Sequence, residues 1–317
     1  MNFLALLSLN LTLFLLLICG WICRRLDIID TLSSKRLSKL ILSVGQPMLI
    51  VASLNNAEYS PENLKLAGQV TLLGFALHAF AAIMAYLFCK LIKRNFNKAK
   101  IFEFSIVFGN CGFLGFPILD SLLGDGFGSF LGAFYVISFH LFFWTWGILI
   151  FARGRDDIKL TPKKIFLNFG TVPCAIGVLI YFLKPFFVIP NFMGSFMNYM
   201  GNLCTPISVL VTGAMLATIS LRGMFTNWKM YVHSLIKLIL LPASVCVLTM
   251  LCGLPDLLVL LATAMAAVPC AASVTMLAEL YDIEPGYASQ TVGMTSILST
   301  ATLPVIMLLA QWVVSLV

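Results

Sequence analysis

Residues 109–117 read Gly-Asn-Cys-Gly-Phe-Leu-Gly-Phe-Pro (GNCGFLGFP) and lie in the middle of an apolar run. Three glycines, an asparagine and a proline disfavour a regular helix interior. Asn110 also places a polar amide where hydrocarbon would offer it no partner. Irregular backbone persists at membrane depth only inside protein or beside a watery cavity, because each unsatisfied backbone group in lipid is costly. The stretch therefore predicts a functional interruption of a membrane helix.

The composition is that of an integral membrane protein. Of the 317 residues, 60% are hydrophobic and 10% are charged, whereas soluble domains carry about 25% charged residues. The mean hydropathy is +1.00. The net charge of +7 does not indicate nucleic-acid binding, because the basic residues fall in short clusters between apolar runs.

Ten apolar runs are long enough to cross the ~30 Å hydrocarbon core of a bilayer. Their limits are 3–22, 37–55, 66–92, 101–122, 128–151, 166–186, 194–218, 230–251, 256–280 and 287–316. The first run is expected to be a retained helix. A signal peptide carries its positive charge before the apolar stretch, whereas Arg24 and Arg25 follow it here.

Basic residues alternate from loop to loop. They cluster in the first, third, fifth and seventh loops, whereas the loops between these hold only Lys65 and Lys184. Since cytoplasmic loops carry the excess of Lys and Arg, the pattern predicts that both termini lie outside. We expect a multi-pass protein of a bacterial inner membrane, with periplasmic termini. The ninth loop departs from the pattern, with Glu279, Asp282 and Glu284 and no basic residue.

Prolines recur at matched places in the two halves of the chain. Pro47 and Pro206 lie within the second and seventh runs, and Pro117 and Pro269 within the fourth and ninth, at nearly equal separations. This predicts two five-helix halves, 1–151 and 166–317, within one membrane domain. Because five is odd, the second half enters the membrane from the opposite side, which is an inverted repeat.

The matched interruptions predict an anion site. Two broken helices that cross at their breaks would place two helix N-termini near the midplane, each with about half a positive charge. Gly109, Gly112 and Gly115 recur at every third residue, so we expect them to line one face that a neighbouring backbone approaches. Pro117 is expected to begin a new helical segment. The alternative is a glycine-rich packing helix with a proline kink.

Four stretches of the chain resemble the auxin efflux carrier family, which includes bacterial dicarboxylate permeases and the plant PIN-type auxin carriers. The stretches are GNCGFLGFPIL (109–119), LCTPISVLVTGAML (203–216), LIKLILLP (235–242) and VPCAASVTMLAELYDIEPGYASQTVGMTSILSTATLP (268–304). Any one of them alone is a weak signal, whereas the ordered set is specific.

The resemblance implies an all-α fold of ten transmembrane helices in two inverted repeats, as in bile-acid symporters. In such folds helices 1, 2, 6 and 7 form a scaffold. Helices 3–5 and 8–10 form a moving transport domain in which the broken helices 4 and 9 cross. It also implies a secondary transporter of small organic anions that works by alternating access, with proton-linked or potential-driven transport. Two copies can pair through the scaffold helices.

The resemblance also assigns residues. Asn110 matches the substrate-facing asparagine of the family, and Pro117 and Pro269 match the crossover prolines. No amide follows Pro269, so the second half of the site offers only small groups such as Cys270 and Ser273. The predicted substrate-binding residues are Asn110, Cys111, Gly112, Gly115, Pro117, Pro269, Cys270, Ser273 and Gln46. Gln46 either faces the substrate or packs between helices.

Ionisable residues within membrane spans are functional candidates by default. His78 and His140 lie near the centres of the third and fifth runs. An imidazole has an unperturbed pKa of about 6.5, so either histidine can carry a coupling proton. The alternative is a neutral histidine bonded to a neighbouring helix. Lys237 lies about two turns into the eighth run, where it either extends its ammonium to the membrane surface or acts as a gate or counter-ion.

Other classes of function have less support in the sequence. It contains no phosphate loop, HExxH or nucleophile elbow, and its nine cysteines form no CxxC pair, so we expect neither an enzyme nor a cofactor or metal site. A membrane-embedded sensor of a metabolite or lipid stays open as an alternative. Sodium coupling stays open as well, although carboxylates for a sodium site are lacking at the crossover.

Overall fold

The computed structural model describes residues 3–91, 96–124, 126–155, 161, 166–168, 170–218 and 221–316. The helices of this part of the chain are α1 (Phe3–Arg25), α2 (Thr31–Asn56), α3 (Pro61–Leu91), α4 (Phe96–Val107), α5 (Cys111–Gly115 continued by Phe116–Leu123), α6 (Phe127–Ala152), α7 (Thr171–Leu183), α8 (Asn191–Leu216), α9 (Leu221–Thr226), α10 (Trp228–Leu251), α11 (Asp256–Ala267), α12 (Ser273–Leu280) and α13 (Pro285–Val314).

Six of these helices are long and apolar enough to cross a membrane, namely α2, α3, α6, α8, α10 and α13. They coincide with the second, third, fifth, seventh, eighth and tenth apolar runs, while the count of ten spans stays a prediction. Large apolar side chains cover their outer faces; Leu72 and Leu91 of α3 are 71% and 76% exposed. Apolar surface of this extent fits a lipid environment, and the protein is a multi-pass membrane protein.

The helices pack most extensively within two groups. In the first group, α1 lies along α8, and α2 packs against α7 and α8. In the second, α3 packs against α4 and α6, α5 against α6, α10 against α11, and both α11 and α12 against α13. The interrupted helices, α4 with α5 and α11 with α12, all belong to the second group.

Reciprocal glycines bring α1 and α8 into backbone contact. A Cβ at Gly20 of α1 would overlap the carbonyl of Leu210, and a Cβ at Gly213 of α8 would overlap the carbonyl of Leu17. Small residues at such positions let two membrane helices approach closely, and the gain is van der Waals packing. The first apolar run is therefore held tightly by the rest of the protein.

Three helices widen into a five-residue π-helical turn directly before an X-Pro pair. The turns are Ile41–Gly45 before Pro47, Cys111–Gly115 before Pro117 and Ile236–Leu240 before Pro242. Proline has no N–H, and its ring crowds the carbonyl four residues earlier, so an extra residue in the preceding turn relieves the clash. The helix consequently continues through each of these prolines.

Pro117 lies in the first turn of the α-helical segment Phe116–Leu123, as expected of a residue that begins a helical segment, but the break itself lies earlier in the chain. The fourth apolar run is interrupted at residues 108–110, and Pro117 lies inside the helix that follows. The low helix propensity of glycine and asparagine at 109 and 110 locates the break, while the π-helical turn absorbs the proline.

Candidate functional site

The two interrupted helices meet at their breaks. The chain leaves helical geometry at 108–110, between α4 and α5, and at 268–272, between α11 and α12. Gly109 and Cys270 form an antiparallel bridge. The N–H of Asn110 donates to the carbonyl of Pro269 over 2.8 Å, and the N–H of Ala271 donates to the carbonyl of Phe108 over 3.0 Å. Each break thus satisfies backbone groups that the other break frees, as backbone at membrane depth requires.

Side chains around the bridge tie it to neighbouring helices. The N–H of Cys270 donates to Thr295 Oγ1 of α13 over 3.2 Å, and its thiol donates to the carbonyl of Ser105 in α4 over 3.2 Å. The thiol of Cys111 donates to the carbonyl of Gly109 over 3.4 Å. Both thiols serve the local geometry of the crossing.

A cavity of about 440 Å³ lies against one side of the crossing. Its walls come from the crossing itself, from α6, and from α2 and α8 on the far side. The lining residues are Ser38, Lys39, Ile41, Ser43, Gln46, Gly109, Asn110, Cys111, Gly112, Phe139, His140, Phe143, Trp144, Gly170, Ser208, Val211, Ala271, Ala272, Ser273 and Leu277. A mostly apolar cavity with a few polar groups is typical of a small-molecule site.

The structure brings part of the predicted site together at this cavity. Six of the predicted residues line it, namely Asn110, Cys111, Gly112, Ser273, Gln46 and His140. The others lie elsewhere. Pro269 and Cys270 belong to the bridge, and Gly115 and Pro117 lie further along α5. His78 and Lys237 lie on the opposite side of the crossing.

Three polar side chains in the cavity wall have unused hydrogen-bonding capacity. His140 is 6% exposed, and its Nε2 has no partner among the described residues. The side-chain amides of Asn110 and Gln46 are also buried, and neither forms a hydrogen bond within the described part of the chain. Since buried polar groups in proteins are normally paired, these three side chains mark a place for a ligand.

Helix polarity adds to the electrostatics of the cavity. The helices that begin at this wall are α5, at Cys111, and α12, at Ser273. Their N-terminal N–H groups point out of the helices, and each N-terminus carries about half a positive charge. Among the described residues that line the cavity, the charged side chain is Lys39 and none is a carboxylate. The electrostatic field of the cavity therefore favours a negatively charged ligand.

The three glycines of the motif do not share one face, so that prediction is wrong. A Cβ at Gly109 would lie 2.7 Å from Val268 Cγ2. At Gly112 it would meet the Gln46 amide at 3.1 Å, and at Gly115 the Met265 Cε at 2.9 Å. Gly112 and Gly115 belong to the π-helical turn, which is wider than an α-helical turn, so a spacing of three residues does not place them on one face. Each glycine makes room for a different neighbour, mostly a side chain.

Lys237 lies behind the crossing and is 1% exposed. Its Nζ donates to the carbonyl of Ala266 in the last turn of α11, over 3.3 Å. A Cβ at Gly109 would lie 3.1 Å from the same Nζ. The interpretation that Lys237 reaches the membrane surface is therefore wrong, because its side chain runs into the protein.

His78 is buried beside Lys237, away from the large cavity. Its Nδ1 lies 2.6 Å from the carbonyl of Gly74, and its ring packs against Phe108 and Tyr135. A small cavity of about 20 Å³ separates His78 from Lys237. The Nδ1 contact stays within α3 and is not the bond to a neighbouring helix that the alternative describes, so the coupling role of His78 stays a prediction.

Sequence reasoning missed a third buried histidine. His233 is 1% exposed, and its Nε2 lies 2.8 Å from Ser105 Oγ of α4. It precedes Lys237 by one turn of α10. That four-residue spacing in an apolar run was a signal for a shared buried face.

Comparisons with known proteins agree with a transport role. The family model described as membrane transport protein matches residues 6–168 and 169–307. A protein named as an uncharacterized transporter from Methanocaldococcus jannaschii is 23% identical over 297 residues, which cover 91% of this chain and 94% of the relative. Another from Methanothermobacter thermautotrophicus is 22% identical over 299 residues, covering 93% and 95%.

Proposed function

Because the chain belongs to the membrane transport protein family, that of the auxin efflux carriers, we propose that it is a secondary transporter of a small organic anion, a carboxylate, and that it works by alternating access. The observation that carries this proposal is the convergence on one cavity of two helix N-termini and the polar side chains of Asn110, Gln46 and His140. The volume of about 440 Å³ suits a small molecule.

The carboxylate would bind at the crossing. The side-chain amide of Asn110 and the N–H groups of Gly112 in α5 and Ser273 in α12 would donate to its oxygens. Gln46 would approach from α2, on the opposite wall. The aromatic rings of Phe139 and Phe143 would cover the carbon skeleton of the substrate. Hydrogen bonds to a charged group contribute about 1.5–3 kcal/mol each, so few are needed to position a small anion.

The two packing groups provide parts for alternating access. We assign α1, α2, α7 and α8 to a static scaffold, and α3–α6 with α10–α13 to a moving domain. The cavity lies between them, with Gln46 and Ser208 on the scaffold wall and Asn110 on the moving wall. This assignment extends the inverted repeat of 1–151 and 166–317. Lys39 of α2 lines the cavity and belongs to the basic cluster that follows the first apolar run, so the cavity would be open to the cytoplasm.

His140 is the candidate for the coupling proton. His140 lines the same cavity as Asn110, its Nε2 is buried without a partner among the described residues, and its ring is seated against Gly170, where a Cβ would overlap it. A protonated imidazole would donate to the carboxylate and would add a positive charge, so proton and anion would bind together. His78 faces the other side of the crossing and is the weaker candidate.

The test is uptake of labelled mono- and dicarboxylates into proteoliposomes. Asn110→Ala should lower uptake at low substrate by about ten- to a hundredfold, the effect of one lost hydrogen bond to a charged group. Asn110→Asp should lower it further, since a carboxylate repels the substrate. Asn202→Ala, at an exposed position of α8, is the matched control. Normal uptake by a well-folded Asn110→Ala protein would disprove the assignment.

A further inference from the structure

The four helix ends at the crossing are sorted by polarity. The N-termini of α5 and α12 face the large cavity, as described above. The C-termini of α4 and α11, at Val107 and Ala267, lie on the side of the small cavity, which Val107 and Ala266 help to line. Helix C-termini leave unsatisfied carbonyls and carry about half a negative charge each. Two such ends that meet inside a membrane protein favour a cation beside them.

Lys237 supplies a positive charge at that place. Its Nζ donates to the carbonyl of Ala266 and lies close to Gly109, the second residue after α4 ends. The lysine projects from the π-helical turn Ile236–Leu240 of α10, directly before Leu241-Pro242. An ammonium has three donors and no acceptor, so it matches a set of free carbonyl oxygens.

No carboxylate compensates this charge among the described residues. The ion pair found in that part of the chain joins Arg153 to Glu103, at 2.5 Å. The titratable groups that face Lys237 around the small cavity are His78, Cys111 and Tyr135, with Cys270 behind them. A buried ammonium without a counter-ion is costly unless dipoles stabilise it. The C-terminal carbonyls of α4 and α11 are the dipoles that can stabilise the Lys237 ammonium.

We infer that the Lys237 ammonium is a tethered cation that neutralises the two helix C-termini behind the crossing, in the position where a bound alkali cation would otherwise be needed. The carrier then has no need of sodium at the crossing. The consequence for coupling rests on the proposed function, whereas the electrostatic role of Lys237 does not. Gly109 fits this role, because a side chain there would lie between the ammonium and the bridge.

The experiment is a thermal unfolding series on the purified full chain, in sodium, potassium, choline or n-propylammonium chloride at equal ionic strength. The wild type should have the same Tm in all four salts. Lys237→Met keeps the volume but leaves the buried carbonyls of the helix ends without the ammonium donor, so its Tm should fall by about 5–10 °C. Lys237→Ala leaves room for a small cation. We therefore expect n-propylammonium to restore at least half of the fall in Tm of Lys237→Ala, and not to raise the Tm of Lys237→Met.

The matched control is Lys184→Met. Lys184 also donates to a helix-end carbonyl, that of Ala57, but it lies at the end of α7, where water can replace it. Its Tm should change little in any of the salts. A Lys237→Met protein as stable as the wild type would overturn the inference. So would a Lys237→Ala protein that n-propylammonium does not stabilise, or a wild type that sodium stabilises more than choline does.

A second measurement needs no variant. Carboxylate uptake by the wild type at a fixed membrane potential should be unchanged when choline replaces sodium, and strict sodium dependence would overturn the inference. Absence of uptake for every carboxylate tested would count against the proposed function alone. The unfolding series would then still decide the role of Lys237, because it uses no substrate.

Discussion

Asn110 contributes to the helix crossing with its backbone and to the cavity with its side chain. Its backbone N–H closes the bridge to Pro269, and its carbonyl accepts from Leu114 and Gly115 at the start of α5. The side-chain amide is therefore free for the cavity. A residue with a short polar side chain and low helix propensity suits both tasks.

The glycines of the motif differ in what a methyl group would meet. Gly109→Ala should cost about 1–3 kcal/mol of unfolding free energy, because its Cβ would collide with Val268 and approach Lys237 in a filled interior. Gly112→Ala should cost less, since the Gln46 amide can turn away. Thermal unfolding of the two purified variants measures the difference.

Substrate uptake by Gly109→Ala and Gly112→Ala should not follow the order of their unfolding free energies. Gly112→Ala displaces Gln46 into the cavity, so it should impair transport while the protein stays folded. If Gly109→Ala were as stable as the wild type, the close packing behind the crossing would not exist in solution.

At the residue scale, some parts of the site are readable from the sequence. Asn110 stands out because an amide is rare in an apolar run, and His140 because it is ionisable at membrane depth. The inward course of Lys237 is not readable, because distance along a helix does not say which face the side chain occupies. His233 was missed for the same reason, since its partner Ser105 lies on another helix.

At the scale of helices, glycine and asparagine locate the break in the fourth run more accurately than proline does. Three of the prolines follow a π-helical turn and leave the helix continuous. Sequence alone could indicate an interruption near Pro117 but not its place. Whether a helix breaks or widens depends on what its freed backbone groups can bond to, here the second break at Pro269 and Ala271.

The contact of α1 with α8 gives a prediction at this scale. Gly213→Ala should lower the unfolding free energy by about 1–3 kcal/mol, because its Cβ would overlap the carbonyl of Leu17. Gly68→Ala on α3 is the control, since nothing lies within 4 Å of its Cβ position. Gly68→Ala should be neutral or slightly stabilising. Equal unfolding temperatures for the two variants would contradict the close approach of α1 to α8.

At the scale of the whole molecule, the all-helical membrane class follows from the sequence, because composition and hydropathy report directly on the solvent of the protein. The division into two packing groups was expected only through the family resemblance. Which helices pack together depends on long-range contacts such as those of Gly20 and Gly213, and no local pattern specifies them.

The orientation in the membrane is testable by thiol labelling. In a protein with Cys19 and Cys252 replaced by serine, Arg222→Cys should react with an impermeant maleimide only in inverted vesicles. Lys65→Cys should react only in right-side-out vesicles. Both positions are exposed in the structure, and the loop charges place them on opposite sides. Labelling of both cysteines from one side would refute the predicted topology.

The antiparallel bridge between Gly109 and Cys270 has a consequence for biogenesis. While only the first half of the chain has been synthesised, the carbonyl of Phe108 and the N–H of Asn110 have no partner, and the partners arrive more than 150 residues later. A nascent chain must therefore shelter this break from lipid, with water, a chaperone or its own neighbouring helices, until Pro269 and Ala271 are inserted. A first half that is made without the second half would hold an unpaired backbone carbonyl and N–H in the bilayer. We expect membrane quality control to recognise such a fragment.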